Sequence, residues 1–278
     1  MFIWIVSYPK SVNTWVRSLL SSYYFTNDGS FNFSLLKNIE QYPQRKFFDK
    51  PIKNPEEISN YWEDSQKKIS NIKKIKFFKT HNSFIKINGK NFTSPKYTLG
   101  VVYIIRDPRN VITSLKNHWD LSYEDSLKFM QNDKKFIYDK RENNYADFHF
   151  LSSWSNHYKS WLNTKEFNKI FIKYEDLEKF PYETFSKIIN FINKISKIEQ
   201  NQNKAKIKKS IASTSFNKLK SLEKKHGFEE SVTTAQSNKK INFFHMGSAN
   251  RWQKILPKNI KDKANSAFHE DLKLIGYY

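Results

Sequence analysis

Cysteine is absent from the 278-residue chain. That excludes a disulfide framework, a thiolate metal site and a cysteine nucleophile. Glycine is scarce, with six residues, and the first is Gly29. A glycine-rich Walker A loop, G-x-x-x-x-G-K-[ST], therefore cannot stand near the amino terminus, which counts against an ATPase or nucleotide kinase. No apolar run reaches the some 18 residues of a transmembrane helix. Met1 leads straight into Phe2-Ile3-Trp4-Ile5-Val6, too short for the apolar core of a signal peptide and its cleavage site. Cytoplasmic residence is the expectation.

Arginine is also rare, only six of 48 basic residues. With 27 acidic residues the formal charge is 48 − 27 = +21. Such a charge invites a nucleic-acid reading. Bidentate recognition of bases and phosphates favours arginine, however, and the excess here is lysine. A solvated lysine-coated surface is the simpler account, and no nucleic-acid partner is expected. The positive field would still attract anionic substrates. Arg17, Arg106, Arg109 and Arg251 all fall in segments that matter below. Apolar residues make up 38% and aromatic residues 17% of the chain, enough for a sizeable core rather than disorder.

Residues 2–6 read as a buried strand, broken by Tyr8-Pro9-Lys10-Ser11 and followed by helical spacing from Trp15 to Leu20. Ile75 to Phe78 reads as a second strand. Val101 to Ile105, apolar throughout, is a third and central one. It ends at Arg106-Asp107-Pro108, with a helix from Asn110 to about Asn117. Ile170 to Tyr174 is a fourth strand, and Tyr182 to Ile195 an amphipathic helix. Alternating strands and helices predict an α/β fold with a central parallel β-sheet flanked by helices. The stretches 26–74 and 120–150 read as insertions or lids over the carboxyl edge of the sheet. Residues 194–209 read as a solvated loop and helix start. Neither a repeat nor a linker interrupts the chain, so 1–278 is expected to form one domain.

Ligands of open α/β sheets bind at the carboxyl ends of strands, often at a helix N-terminus. Ser7 to Thr14 occupies that position. Its backbone N–H groups, Lys10 and the Ser11 and Thr14 hydroxyls could hold a phosphate or sulfate; an ordinary βα turn with a solvated lysine is the competing reading. Lys79-Thr80-His81 follows the second strand on the same edge. Arg106 and Ser114 bracket the turn after the third strand, a placement suited to a second phosphate.

At these segments the sequence resembles the sulfotransferases that use 3′-phosphoadenosine-5′-phosphosulfate (PAPS). Ser7-Tyr8-Pro9-Lys10-Ser11-Val12-Asn13-Thr14-Trp15 is similar to the family's Y-P-K-S-G-T-T-W loop, and Lys79-Thr80-His81 to its K-T-H segment. Arg106 to Val111 with Ser114 resembles the 3′-phosphate segment. Trp154 to Trp161 resembles a W-x-x-H-x-x-x-W helix, with His157 and Trp161 read as structural. Tyr174-Glu175-Asp176-Leu177, Thr214-Ser215-Phe216, Phe243 to Trp252 and Leu274 to Tyr277 match later segments in the family's order. The resemblance implies a P-loop NTPase-like fold without a Walker A sequence. It departs at Val12-Asn13, where Gly-Thr is usual, and at His245-Met246-Gly247, where Arg-Lys-Gly is common. Val12 is expected to keep the loop at negative φ. The family's dimerisation segment is not recognisable, so a dimer through it is not implied.

The resemblance implies sulfuryl transfer from PAPS to a hydroxyl or amine of a small-molecule or carbohydrate acceptor. His81 is the expected general base, with Lys10 and Lys79 stabilising the leaving phosphate. Donor contacts are expected from Lys10, Ser11, Asn13, Thr14, Trp15, Arg106, Ser114, Tyr174, Thr214, Phe216 and Gly247. Trp15 and Phe216 would flank the adenine. No metal is expected. A kinase-like transferase and a non-catalytic polyanion-binding protein are the alternatives.

Overall fold

The computed structural model describes residues 1–70, 76–138, 144–199, 201–232 and 241–278. Ile75, expected to open the second strand, lies outside the described residues, as do 71–74, 139–143 and 200 of the expected loop segments.

The strands are β1 (Phe2–Ser7), β2 (Ile39–Gln41), β3 (Lys76–Thr80), β4 (Lys86–Ile87), β5 (Lys90–Asn91), β6 (Thr98–Ile105), β7 (Phe136–Ile137), β8 (His149–Phe150) and β9 (Lys169–Lys173). Five of them form one sheet in the order β2-β3-β1-β6-β9. Every pairing in it is parallel. The expected fold class is the observed one. β4 with β5 and β7 with β8 are short antiparallel pairs outside it.

Helices α1 (Asn13–Phe25), α2 (Trp62–Ser70), α3 (Pro108–Trp119), α4 (Tyr123–Gln131) and α5 (Trp154–Asn163) precede β9. After it come α6 (Tyr174–Lys179), α7 (Pro181–Ile195), α8 (Lys204–Ser213), α9 (Phe216–His226), α10 (Trp252–Ile255), α11 (Lys258–Ala267) and α12 (His269–Leu274). α3 is longer at both ends than the expected 110–117. Pro108 suits its first turn, where its missing N–H costs nothing, and Asp107 caps it by accepting from Arg109 N–H at 2.9 Å.

The period-two alternation of the strands divides the core between the two faces of the sheet. Phe2, Trp4 and Val6 of β1 join Val101, Tyr103 and Ile105 of β6 under α3, α4 and α5. Ile3 and Ile5 join Val102 and Ile104 under α1 and α7. Strands buried on both faces must be apolar at every position, which is why β1 and β6 stand out as continuous runs.

One expectation is corrected. The stretch 26–74 is not chiefly a lid. It supplies the edge strand β2, and Tyr42, Ile52, Ile58 and Trp62 are fully buried in the core. β2 spans Ile-Glu-Gln on a sheet edge, too short and too polar to show a strand period. Of residues 194–209, read as a solvated loop and helix start, 204–209 open α8, whose Ile207 is buried beside α1.

The register positions the site. Ile5 pairs with Lys79 and Val6 with Thr80, while Ser7 pairs with Ile104. β1 lies between β3 and β6, so chain connections leave its two sides in opposite directions. The crevice beyond its carboxyl end is the switch point where open α/β sheets bind ligands.

Candidate active site

A cavity of about 440 Å³ opens at this point. Lys10, Asn13, Thr14, Trp15, Lys79, His81, Arg106, Ser114, Tyr174, Phe216 and Gly247 all line it. Two expected donor contacts do not. Ser11 is buried, with its hydroxyl unpartnered among the described residues. Thr214 is also buried, and its hydroxyl donates to Ser210 O at 2.8 Å on its own helix.

The loop after β1 turns tightly, with Ser11 N–H donating to Tyr8 O at 3.2 Å. Asn13 pins it from the inside, donating from Nδ2 to Ile5 O and to Ser7 Oγ, each at 3.2 Å. The expectation for Val12 is overturned. Its φ is 68°, and that of Lys10 is 65°, so both lie in the left-handed region. A β-branched residue there costs about 1–3 kcal/mol. The conformation is imposed from both ends: the strand fixes one, and Val12 O accepts from Trp15 N–H at 3.1 Å to start α1 at the other.

His81 follows β3. Its Nδ1 lies 2.6 Å from Ser7 O. A carbonyl only accepts, so the neutral ring carries its proton on Nδ1 and leaves Nε2 as a free base. Burial, then the charge of Lys79 and the neighbouring His149, hold His81 well below the ordinary histidine range. It is neutral at pH 7.

Among the described residues Lys10, Lys79 and Arg106 bring basic side chains to the cavity. Burial pushes the Lys10 ammonium down to about 7; Glu230 opposes the shift, and Arg106 and Lys79 add to it. Lys10 Nζ sits 4.1 Å from the centroid of the Phe243 ring. Lys79 is lowered too, again by burial first, with Glu230 opposing. Arg106 spans the gap between loop and helix, donating from Nη1 to Lys10 O and to Ser114 Oγ, both at 3.0 Å. Its guanidinium lies 4.7 Å from the centroid of the Tyr174 ring.

The last lining segment is docked by Asn250, whose Nδ2 donates to Ser114 Oγ at 2.9 Å and whose Oδ1 accepts from Thr113. Gly247 has φ 54°, and a Cβ there would stand 2.7 Å from the Phe216 ring. The close approach of backbone to ring requires glycine at this position.

This architecture is matched in known proteins. A sulfotransferase-domain family model covers residues 2–276. The chain belongs to the sulfotransferase family. Two solved structures share its fold at low identity. A mouse sulfotransferase complexed with PAP is 17% identical, with a TM-score of 0.61, covering 97% of this chain and 83% of that one. Retinol dehydratase, solved with androsterone and the inactive cofactor PAP, is 16% identical, with a TM-score of 0.58, covering 98% and 80%.

Several lining residues of this sulfotransferase escaped sequence reading. Gln41, His118, Trp119, Ile137 and Leu219 line the wall and were assigned no role. Only Trp119 and Ile137 could have been suspected, as apolar residues in the aromatic-rich stretch 120–150 or at its margin. Glu230 gave no signal. Arg251, carried in the last motif, pairs with Glu178 at 3.4 Å and is half exposed. Among the described residues no group of three or more His, Cys, Asp or Glu is placed to hold a metal ion.

Proposed function

We propose that this sulfotransferase moves a sulfuryl group from PAPS to the hydroxyl of a small-molecule acceptor, with His81 as general base. The observation that carries the reading is the His81 imidazole. It is neutral, its tautomer is set by Ser7 O, and it faces a cavity shared with Lys10 and Lys79.

The lining suits a nucleotide. Asn13 Oδ1, Trp15 Nε1 and Arg106 Nε are buried polar atoms with no partner among the described residues. Such atoms cost free energy unless a ligand satisfies them. Thr14 and the N–H groups at the start of α1 would hold the 5′-phosphate. Arg106 and Ser114 would hold the 3′-phosphate, and Trp15 and Phe216 the adenine. PAP, bound in both structural relatives, is what PAPS becomes on losing its sulfuryl group.

In the step itself the acceptor O–H proton passes to His81 Nε2 as the acceptor oxygen bonds to sulfur. The bridging S–O bond breaks and its electron pair stays on the phosphate oxygen. Lys10 and Lys79 neutralise that developing charge in a water-poor site. A base so placed contributes ~10²–10⁴-fold in rate. Trp119, Ile137 and Phe243 give the acceptor an apolar wall. The cytoplasm is the proposed compartment.

Calorimetry with PAP, ATP and duplex DNA tests the donor reading, followed by an acceptor screen with labelled PAPS. Saturable binding of PAP and label transfer to a hydroxyl compound are expected. Preference for ATP would favour a kinase-like enzyme, and binding of DNA alone a polyanion-binding protein; either overturns the reading.

A further inference from the structure

The cavity holds a carboxylate that the reaction above does not use. Glu230 accepts from Thr14 Oγ1 at 2.9 Å, pairs with Lys79 Nζ at 3.5 Å and closes on Arg17 Nη1. Two of these partners are groups the donor reading gives to the phosphosulfate. The third, Arg17, belongs to α1 and meets Glu230 from behind the cavity lining, of which it is not a part.

Arg17 is a built part of the framework. Its Nε and Nη2 donate to Ile39 O at 3.1 and 2.9 Å, and Nη2 also reaches Leu36 O at 3.4 Å. These bonds lock the plane of the guanidinium and leave Nη1 for Glu230. The side chains of Arg17 and Lys79 are 6% and 8% exposed, that of Glu230 is 27% exposed. The cations are thus fixed on α1 and β3, while the carboxylate arrives from the chain beyond α9. Burial alone would raise the Glu230 carboxyl, but Lys79, Arg17 and the Thr14 hydroxyl hold it far below the usual range. It is fully ionised at any working pH.

A carboxylate and a phosphosulfate take the same charge-assisted hydrogen bonds from a guanidinium, an ammonium and a hydroxyl. Without an anion here, two buried cations would face each other uncompensated. We propose that Arg17, Thr14 and Lys79 form the anion subsite for the donor's phosphosulfate group, and that Glu230 occupies it until the nucleotide displaces the carboxylate. Arg17 is then a third cationic ligand of the donor, exposed by the departure of Glu230. The inference rests on the donor reading of the preceding subsection.

The test is calorimetric titration of PAP into the wild-type protein, Glu230→Gln, and Glu230→Gln combined with Arg17→Gln. Glutamine keeps an acceptor for Thr14 and removes the competing charge, so the single variant should bind PAP about tenfold more tightly. The double variant should lose that gain or more. Melting without ligand checks that each variant is folded, since Arg17 also ties Leu36 and Ile39; if the double variant is unfolded, the single one decides. An affinity for Glu230→Gln within twofold of wild type, or a weaker one, overturns the inference while leaving the donor reading intact. Failure of all three proteins to bind PAP would overturn both.

Discussion

His157 holds the main chain of His81, its Nε2–H donating to the His81 carbonyl oxygen at 3.1 Å. Tyr103 fixes the other side of that ring by donating to Nδ1 at 2.7 Å. His149 Nδ1 accepts from the His81 N–H at 3.4 Å. Both supporting histidines are buried and held at low values, His157 at about 4 and His149 at about 3, by burial foremost. His81 is therefore gripped at N–H, carbonyl and Nδ1, which leaves Nε2 as the atom proposed to act as base. His81→Ala removes that atom and touches none of the expected donor contacts. Turnover should fall ~10²–10⁴-fold with PAP affinity little changed. Single-turnover kinetics and PAP titration on the same preparation check this. Normal turnover would remove His81 from the role of base.

Lys10 should give the proposed donor site a pH dependence near neutrality. Its ammonium is pushed down to about 7 in the ligand-free protein. An anion placed beside it favours the charged form, so PAP binding should raise that value. The protonated form is the one that binds. Affinity is then fully present below about 7 and falls as pH rises above it, until the pKa of the complex is reached. Between those limits log Kd should climb by up to about one per pH unit, with proton uptake on binding. Titrations at pH 6, 7, 8 and 9, in buffers of different ionisation enthalpy, measure both. A flat profile in wild type, or the same slope in Lys10→Met, would assign the effect elsewhere.

How far the chain could be read without its structure follows from which constraints are local. β1 and β6 are apolar runs because the sheet buries them on both faces, and that pattern survives in one dimension. β2 is three residues on an edge and left no trace. Val12 departs from its local preference for negative φ because its backbone is fixed by Asn13 on one side and β1 on the other. Arg17 could be picked out by the scarcity of arginine, but its partner could not. Glu230 lies 213 residues from Arg17 and carries no motif around it. Ser11 and Thr214 show the converse: a motif match places a residue in a segment and does not aim its side chain.

Gly247 fixes the position of Phe216. A methyl at Gly247 would meet three atoms of the ring at 2.7–2.8 Å, and φ 54° adds the left-handed penalty of about 1–2 kcal/mol. Gly247→Ala should therefore push Phe216 aside, weakening PAP about tenfold or more on the proposed adenine contact. Gly89→Ala is the control, since Gly89 has a similar φ of 78° with nothing within 4 Å of the added carbon. It carries the backbone penalty alone. Melting temperatures for both variants and PAP affinities for both separate strain from loss of the base contact. Equal PAP affinities would show that Phe216 does not border the nucleotide.

The pocket proposed for the 3′-phosphate is short of charge. Arg106 with Ser114 is the pair proposed to hold it, while His245 and Met246 stand on the lining segment and Arg251 is turned to Glu178 at 3.4 Å. Met246→Lys places an ammonium on that segment without touching His81 or the loop after β1. One added attraction at a partly solvated site is worth about 0.5–1 kcal/mol, a two- to fivefold tightening of PAP. Two features identify its origin. The gain should shrink between 50 and 500 mM salt, because exposed charges are screened. It should also be absent for adenosine 5′-monophosphate, which lacks the 3′-phosphate. An equal gain for both nucleotides would mean that residue 246 faces the 5′ end, and the 3′-phosphate would then have to be placed elsewhere than beside Arg106.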